Sequence, residues 1–100
     1  MRNAKPETLY RSELVKRIER ILPDCTVFRL DPTQLQGAPD LLILFEDKWA
    51  MLEVKMEESS EQQPNQEYYV NKFNEMSFAA FIYPTIESEV LSDLVARLGS

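Results

Sequence analysis

The chain has 100 residues, 44 % of them apolar, with two glycines, a lone Cys25, no histidine and a formal net charge of −6. A chain of that size buries somewhat more than about 60 % of its unfolded surface, which suits one modest core, and a single domain over 1–100 is expected. The cysteine and histidine counts exclude an internal disulfide, Cys/His zinc clusters and His-dependent triads, and the acidic balance argues against a nonspecific nucleic-acid coat.

Residues 1 to 6 contain no apolar leader stretch, and the apolar run Leu41–Phe45 is far too short to cross a bilayer, so a soluble cytoplasmic protein without a membrane partner is expected. Pro6 suits the first turn of a helix, and Tyr10, Leu14, Ile18 and Ile21 then recur at helical spacing until Pro23. Cys25 to Leu30 is rich in β-branched and aromatic residues and ends at Asp31-Pro32, which predicts a first strand followed by a polar loop over 33–38. Leu41–Phe45 and Trp49–Val54 read as two further strands of an antiparallel hairpin, the first buried on both faces. Lacking a glycine, the connection is expected as a four-residue turn, Phe45 to Lys48, that pairs Leu44 with Trp49.

After a polar, acidic stretch from Met56 to Gln63, Pro64 is expected to open a second helix with Tyr69, Phe73 and Met76 on one stripe. Phe78 to Tyr83 follows as a fourth strand, closed by Pro84. A last helix over Ile86 to Leu98 carries Ile86, Val90, Leu94 and Leu98 four apart, with Gly99 at its end. The order is αβββαβ plus a C-terminal helix, an α/β domain.

The stretch that bears chemistry is Gly37-Ala38-Pro39-Asp40, followed thirteen residues later by Glu53-Val54-Lys55. Alternation along a strand puts Glu53 and Lys55 on one face while Leu52 and Val54 enter the core on the other. The register that pairs Leu44 with Trp49 sets Asp40 opposite Glu53, with β-carbons about 5 Å apart. Two carboxylates so close repel unless a cation lies between them. Hard oxygen ligands suit Mg²⁺ or Mn²⁺, held by Asp40, Glu53 and the backbone carbonyl of Val54. Such an ion acidifies water and neutralises charge on a phosphodiester, with Lys55 positioning or deprotonating the attacking water.

In these residues the chain resembles the PD-(D/E)XK nuclease superfamily over roughly residues 7 to 83, and within it the small VRR-NUC nucleases, which similarly show Gly-x-Pro-Asp, Glu-Val-Lys and a Gln opening the next helix. The resemblance implies a restriction-endonuclease-like core with a central mixed sheet flanked by helices. It implies a metal-dependent DNA endonuclease, acting on branched, flap or junction DNA as a homodimer, without a nucleotide cofactor. Gln66 matches the family's glutamine and would hold a phosphate or a water. An acidic residue of the first helix also joins such sites: Glu13, which neighbours the apolar stripe without lying on it, is the first choice and Glu7 the second.

Charge is unevenly spread, with six basic and three acidic residues in positions 1–20 against five and fourteen in 21–100. Arg11, Lys16, Arg17 and Arg20 are therefore the expected DNA-backbone contacts. Bland readings stand beside these: Asp40 as a turn residue after Pro39, Glu13 paired on the surface with Arg17, Gln66 as a polar first-turn residue, and the aromatic residues Tyr68, Tyr69, Phe73, Phe78 and Phe81 as packing. Two other functions stay open, an inactive nuclease fold serving as an acidic binding or inhibitory partner, and an unrelated interaction domain. The compact size is compatible with a phage or mobile-element origin.

Overall fold

A computed structural model describes residues 6–31, 33–57 and 65–99. Helix α1, Pro6–Ile21, begins at its proline and is followed by strands β1, Thr26–Arg29, β2, Leu41–Phe45, and β3, Lys48–Val54. Helix α2, Gln66–Met76, leads to β4, Phe78–Ile82, and a single 3-10 turn, Pro84–Ile86, precedes α3, Glu87–Leu98. Pro64 and the segment 58–63 lie outside the described residues.

The four strands form one mixed sheet in the order β1-β2-β3-β4, antiparallel from β1 to β3 and parallel between β3 and β4. The parallel pair requires a crossover, and α2 supplies it. Leu44 pairs with Trp49, the register expected from the sequence, but the connection is tighter than the expected four-residue turn. Phe45 and Lys48 are themselves paired, leaving Glu46 and Asp47 as a two-residue loop. Glu46 takes the left-handed conformation that glycine usually fills, at φ 57°. Both ends of β1, the end of β4 and the start of α3 fall one residue inside their expected bounds, within the usual fraying of such assignments.

Alternation along β3 divides the molecule into two layers. Ala50, Leu52 and Val54 face a core shared with Leu14 and Ile18 of α1 and Val90, Leu91, Leu94 and Leu98 of α3. Met51 faces the opposite side, with Val70 of α2 and Ala79 of β4. Strand β2 is not buried on both faces: Leu41 and Ile43 are fully enclosed, whereas Leu44 is 38 % exposed. The helix α2 lies over β3 and β4 and leaves that part of the sheet open. The buried stripe of α1 runs through Leu14 and Ile18 and continues to Leu22, one residue past the helix, rather than through Ile21, which is exposed.

Candidate active site

The sheet places the chemistry at the end where β2 begins and β3 stops. Gly37 turns the incoming loop with φ 93°, a conformation glycine adopts without a side-chain clash, and Pro39 behind it is fully buried. Asp40 is thereby fixed immediately before β2, its own carbonyl accepting from the Leu30 N–H at 2.9 Å. Its side chain closes the other side of the ladder: Asp40 Oδ1 accepts from the Val54 N–H at 3.2 Å. In a strand the carbonyl of a residue leaves on the same edge as its N–H, so the Val54 carbonyl is directed to the Asp40 side.

Glu53, Lys55 and Gln66 form a buried chain on the α2 face, exposed by 6, 7 and 8 %. Gln66 Nε2 donates to Glu53 Oε2 at 2.8 Å, and Lys55 Nζ donates to Gln66 Oε1 at 2.7 Å. The glutamine amide thus has a fixed orientation, carbonyl to the amine and NH₂ to the acid. Its position at the start of α2 directs the partial positive charge of that helix end toward the same place.

Asp40, Glu53 and Gln66 line one open cleft of about 720 Å³ together with Arg11, Arg29 and the loop Gly37–Pro39. The electrostatics are strained toward protonation. Burial first, and then the neighbouring charge of Asp40, push the Glu53 carboxyl up to about 8, and Lys55 only partly opposes them. Burial also raises Asp40 in spite of the Arg11 guanidinium and the Val54 N–H beside it.

The first helix contributes Glu7 rather than Glu13. Arg11 Nη2 bonds Glu7 Oε2 at 2.8 Å and Asp40 Oδ2 at 3.0 Å, and the charge of Glu7 is felt by both Asp40 and Glu53. Glu13 is a correction to the sequence reading: its side chain is 60 % exposed and its recorded partner is Lys16, at 4.0 Å. The reason is helical phase, because Glu7, Arg11, Leu14 and Ile18 follow one another at spacings of 4, 3 and 4 on the stripe that faces the body of the protein.

The basic residues of α1 also separate. Arg11 enters the cleft, whereas Arg17 makes two bonds to Glu87 of α3, at 2.5 and 2.9 Å, and lies over the Tyr10 ring, so it braces two helices instead of facing solvent. Lys16 and Arg20 are exposed. Arg29, which the sequence reading passed over, lines the cleft and donates to Ser12 Oγ at 3.2 Å. Its signal was its place at the end of a strand, two residues before Asp31 of the Asp31-Pro32 turn.

Of the aromatic residues assigned to packing, Phe78 is buried and Phe73 meets the Trp49 ring edge to face, whereas Tyr68 is 58 % exposed. Among the described residues no group of three or more cysteine, aspartate or glutamate side chains is arranged as a metal cage. The buried Glu53 carboxylate, the half-buried Asp40 carboxylate and a strand carbonyl do suit Mg²⁺ or Mn²⁺, which retain several waters and need only one or two carboxylates.

Neither a known sequence family nor a curated protein matches this chain. A solved structure described as "VRR_NUC domain" aligns with it at a TM-score of 0.68, with 22 % identity, over 93 % of this chain and 97 % of that one. The fold is that of a VRR-NUC domain. This is the restriction-endonuclease-like α/β architecture, a mixed sheet flanked by helices, that the sequence resemblance implied. The VRR-NUC fold here spans helix, hairpin, crossover helix and fourth strand without a large insertion among the described residues. None of its described helices is long and apolar enough to cross a membrane.

Proposed function

We propose that the chain is a divalent-metal-dependent endonuclease that hydrolyses phosphodiester bonds in DNA. The observation that carries this reading is the meeting of Asp40 and Glu53 in one cleft, with Glu53 held through Gln66 to the amine of Lys55. Asp40, Glu53 and the Val54 carbonyl are the groups that would hold Mg²⁺ or Mn²⁺. When bound, the ion supplies neutralisation of charge on the scissile phosphate and a more acidic water.

The chain's own residues supply the rest. Lys55, fixed by Gln66, orients the attacking water and stabilises negative charge that develops on phosphate oxygens. The Gln66 amide keeps Glu53 in one rotamer, so the acid and the amine act at a set separation. Arg11 and Arg29 border the cleft and are the nearest cations for a phosphate backbone, with exposed Lys16 and Arg20 further along α1. The described residues form one core around the cleft, which favours recognition of DNA shape, such as a branch, flap or junction, over base sequence. Cutting two strands together needs two sites, so the acting form is a homodimer.

The test is incubation with duplex, flap and four-way-junction DNA in Mg²⁺, Mn²⁺ or chelator, beside Asp40→Ala and Lys55→Ala proteins. Cutting is expected only with metal and only in the parent. Metal-independent cutting, or variants as active as the parent, rejects the reading. A second reading, an inactive fold that binds another protein, is favoured by the net charge of −6. It predicts no cutting of any of the three DNAs in either metal.

A further inference from the structure

We infer that Arg11 is the cleft's resident cation: its guanidinium holds the place of the divalent ion on Asp40, is displaced when the ion binds, and thereby sets the metal affinity of the site. The inference rests on the metal-dependent reading above. Arg11 Nε and Nη2 both reach Asp40 Oδ2, at 3.1 and 3.0 Å. The other oxygen of Asp40 is engaged by the Val54 N–H. Both oxygens of the carboxylate therefore already face donors, one of them fully charged.

A dication on Asp40 would stand a few ångströms from that guanidinium. Repulsion between charges of two and one at such a distance is large in a partly buried site, where screening is incomplete. The side chain has somewhere to go. Glu7, one helical turn back and 46 % exposed, already binds Nη2 at 2.8 Å, so Arg11 can release Asp40 and stay tethered at the rim. The planar fork that fits a carboxylate also fits a phosphate, so the released group remains useful beside a DNA backbone.

The experiment is calorimetric titration of the full chain with MnCl₂, comparing the parent with Arg11→Met and Arg11→Gln, each confirmed folded by circular dichroism. The neutral variants are expected to bind Mn²⁺ at least about tenfold more tightly than the parent, a change of about 1.4 kcal/mol. Uptake by the variants alone supports the inference still more strongly. Equal or weaker binding by both variants, with the parent binding normally, overturns it and leaves the nuclease reading intact. No uptake by any of the three overturns both. A measurement on the parent alone decides the matter if the variants fail to fold: the Arg11 Nε–H resonance should move during a Mg²⁺ titration with the midpoint of Mg²⁺ binding measured by calorimetry. A resonance that stays fixed while Mg²⁺ binds refutes displacement.

Discussion

Two arginines on one helix, Arg11 and Arg17, each clasp a carboxylate from another part of the chain, and the two carboxylates respond in opposite ways. At the Arg17 end burial alone would raise the Glu87 carboxyl, but the bonds and charge of Arg17, together with the Tyr10 hydroxyl, outweigh it and bring the group below its ordinary range. At the Arg11 end burial prevails, and Asp40 stays raised although Arg11 and the Val54 N–H both favour its charged form. The difference is the company each pair keeps. Arg17 and Glu87 balance one another, whereas the cleft and its rim bring together Glu7, Asp31, Asp40 and Glu53 against Arg11, Arg29 and Lys55, one formal negative charge too many. A balanced pair braces a fold; an unbalanced, buried one is a place where an added cation lowers the free energy.

That contrast can be broken most directly by removing the acid from each end. Asp40→Ala should lower metal-dependent cutting by about a thousandfold or more, the scale on which preorganised charge stabilisation acts. Glu87→Ala should leave single-turnover cutting per folded molecule unchanged, although it lowers thermal stability. Comparable losses of activity in both proteins would erase the distinction between site and brace.

The excess of buried acid also has a pH signature. Glu53 keeps its proton up to about 8 in the folded chain, against 4.5 as the ordinary value taken for the unfolded one. Between those limits the folded state holds more protons than the unfolded, so metal-free stability should fall as pH rises, by up to about 1.4 kcal/mol per pH unit, and level off above the upper limit. Asp40, raised for the same first reason, acts in the same direction at lower pH. Urea midpoints measured in chelator from about pH 5 to 9 should show the slope, and Glu53→Gln should flatten it. Because an ion must displace that proton, Mn²⁺ affinity should climb with pH over the same window. A parent protein whose metal-free stability rises between about pH 5 and 8 would show that Glu53 is not held protonated.

Arg17→Met tests the other end. With the Arg17 and Glu87 side chains 33 and 16 % exposed, part of the interaction is screened by solvent. The expected cost is about 1 to 2 kcal/mol of stability, since Glu87 loses its partner while still partly buried. Mn²⁺ uptake should not change, in contrast to Arg11→Met.

The hairpin register and the Asp40, Glu53 and Lys55 spacing were legible because alternation and turn length fix which strand residues face one another, independently of the rest of the protein. Glu46 shows how a local rule can mislead without harm: the absence of glycine suggested a longer turn, yet a non-glycine residue at positive φ kept the same register. The helix acid was less legible. Tyr10, Leu14, Ile18 and Ile21 define a broad stripe, and only packing decides that its centre runs through Leu14, Ile18 and Leu22 and therefore back through Arg11 to Glu7. Arg17 was misread for a related reason, since its partner Glu87 is distant in sequence and only the meeting of α1 and α3 brings them into contact. Nothing local signals an ion pair of that kind.

The smallest effects separate the two candidate acids of α1. Glu13 and Lys16 face solvent at 4.0 Å, so Glu13→Ala should change stability by no more than about 0.5 kcal/mol and leave the pH window of Glu53 where it was. Glu7 is different in kind, because its negative charge helps hold the proton on Glu53. Glu7→Gln removes that charge and should therefore move the upper edge of the stability window to lower pH, by less than the burial of Glu53 itself contributes, since burial is the larger cause. The shift is readable as an earlier levelling of urea midpoints in chelator, or directly from the Glu53 carboxyl signal by carbon NMR. If Glu13→Ala moves that edge and Glu7→Gln does not, the phase of the helix against the cleft is the reverse of the one described, and the charge count that distinguishes the cleft from the Arg17 brace must be redrawn with Glu13 in it.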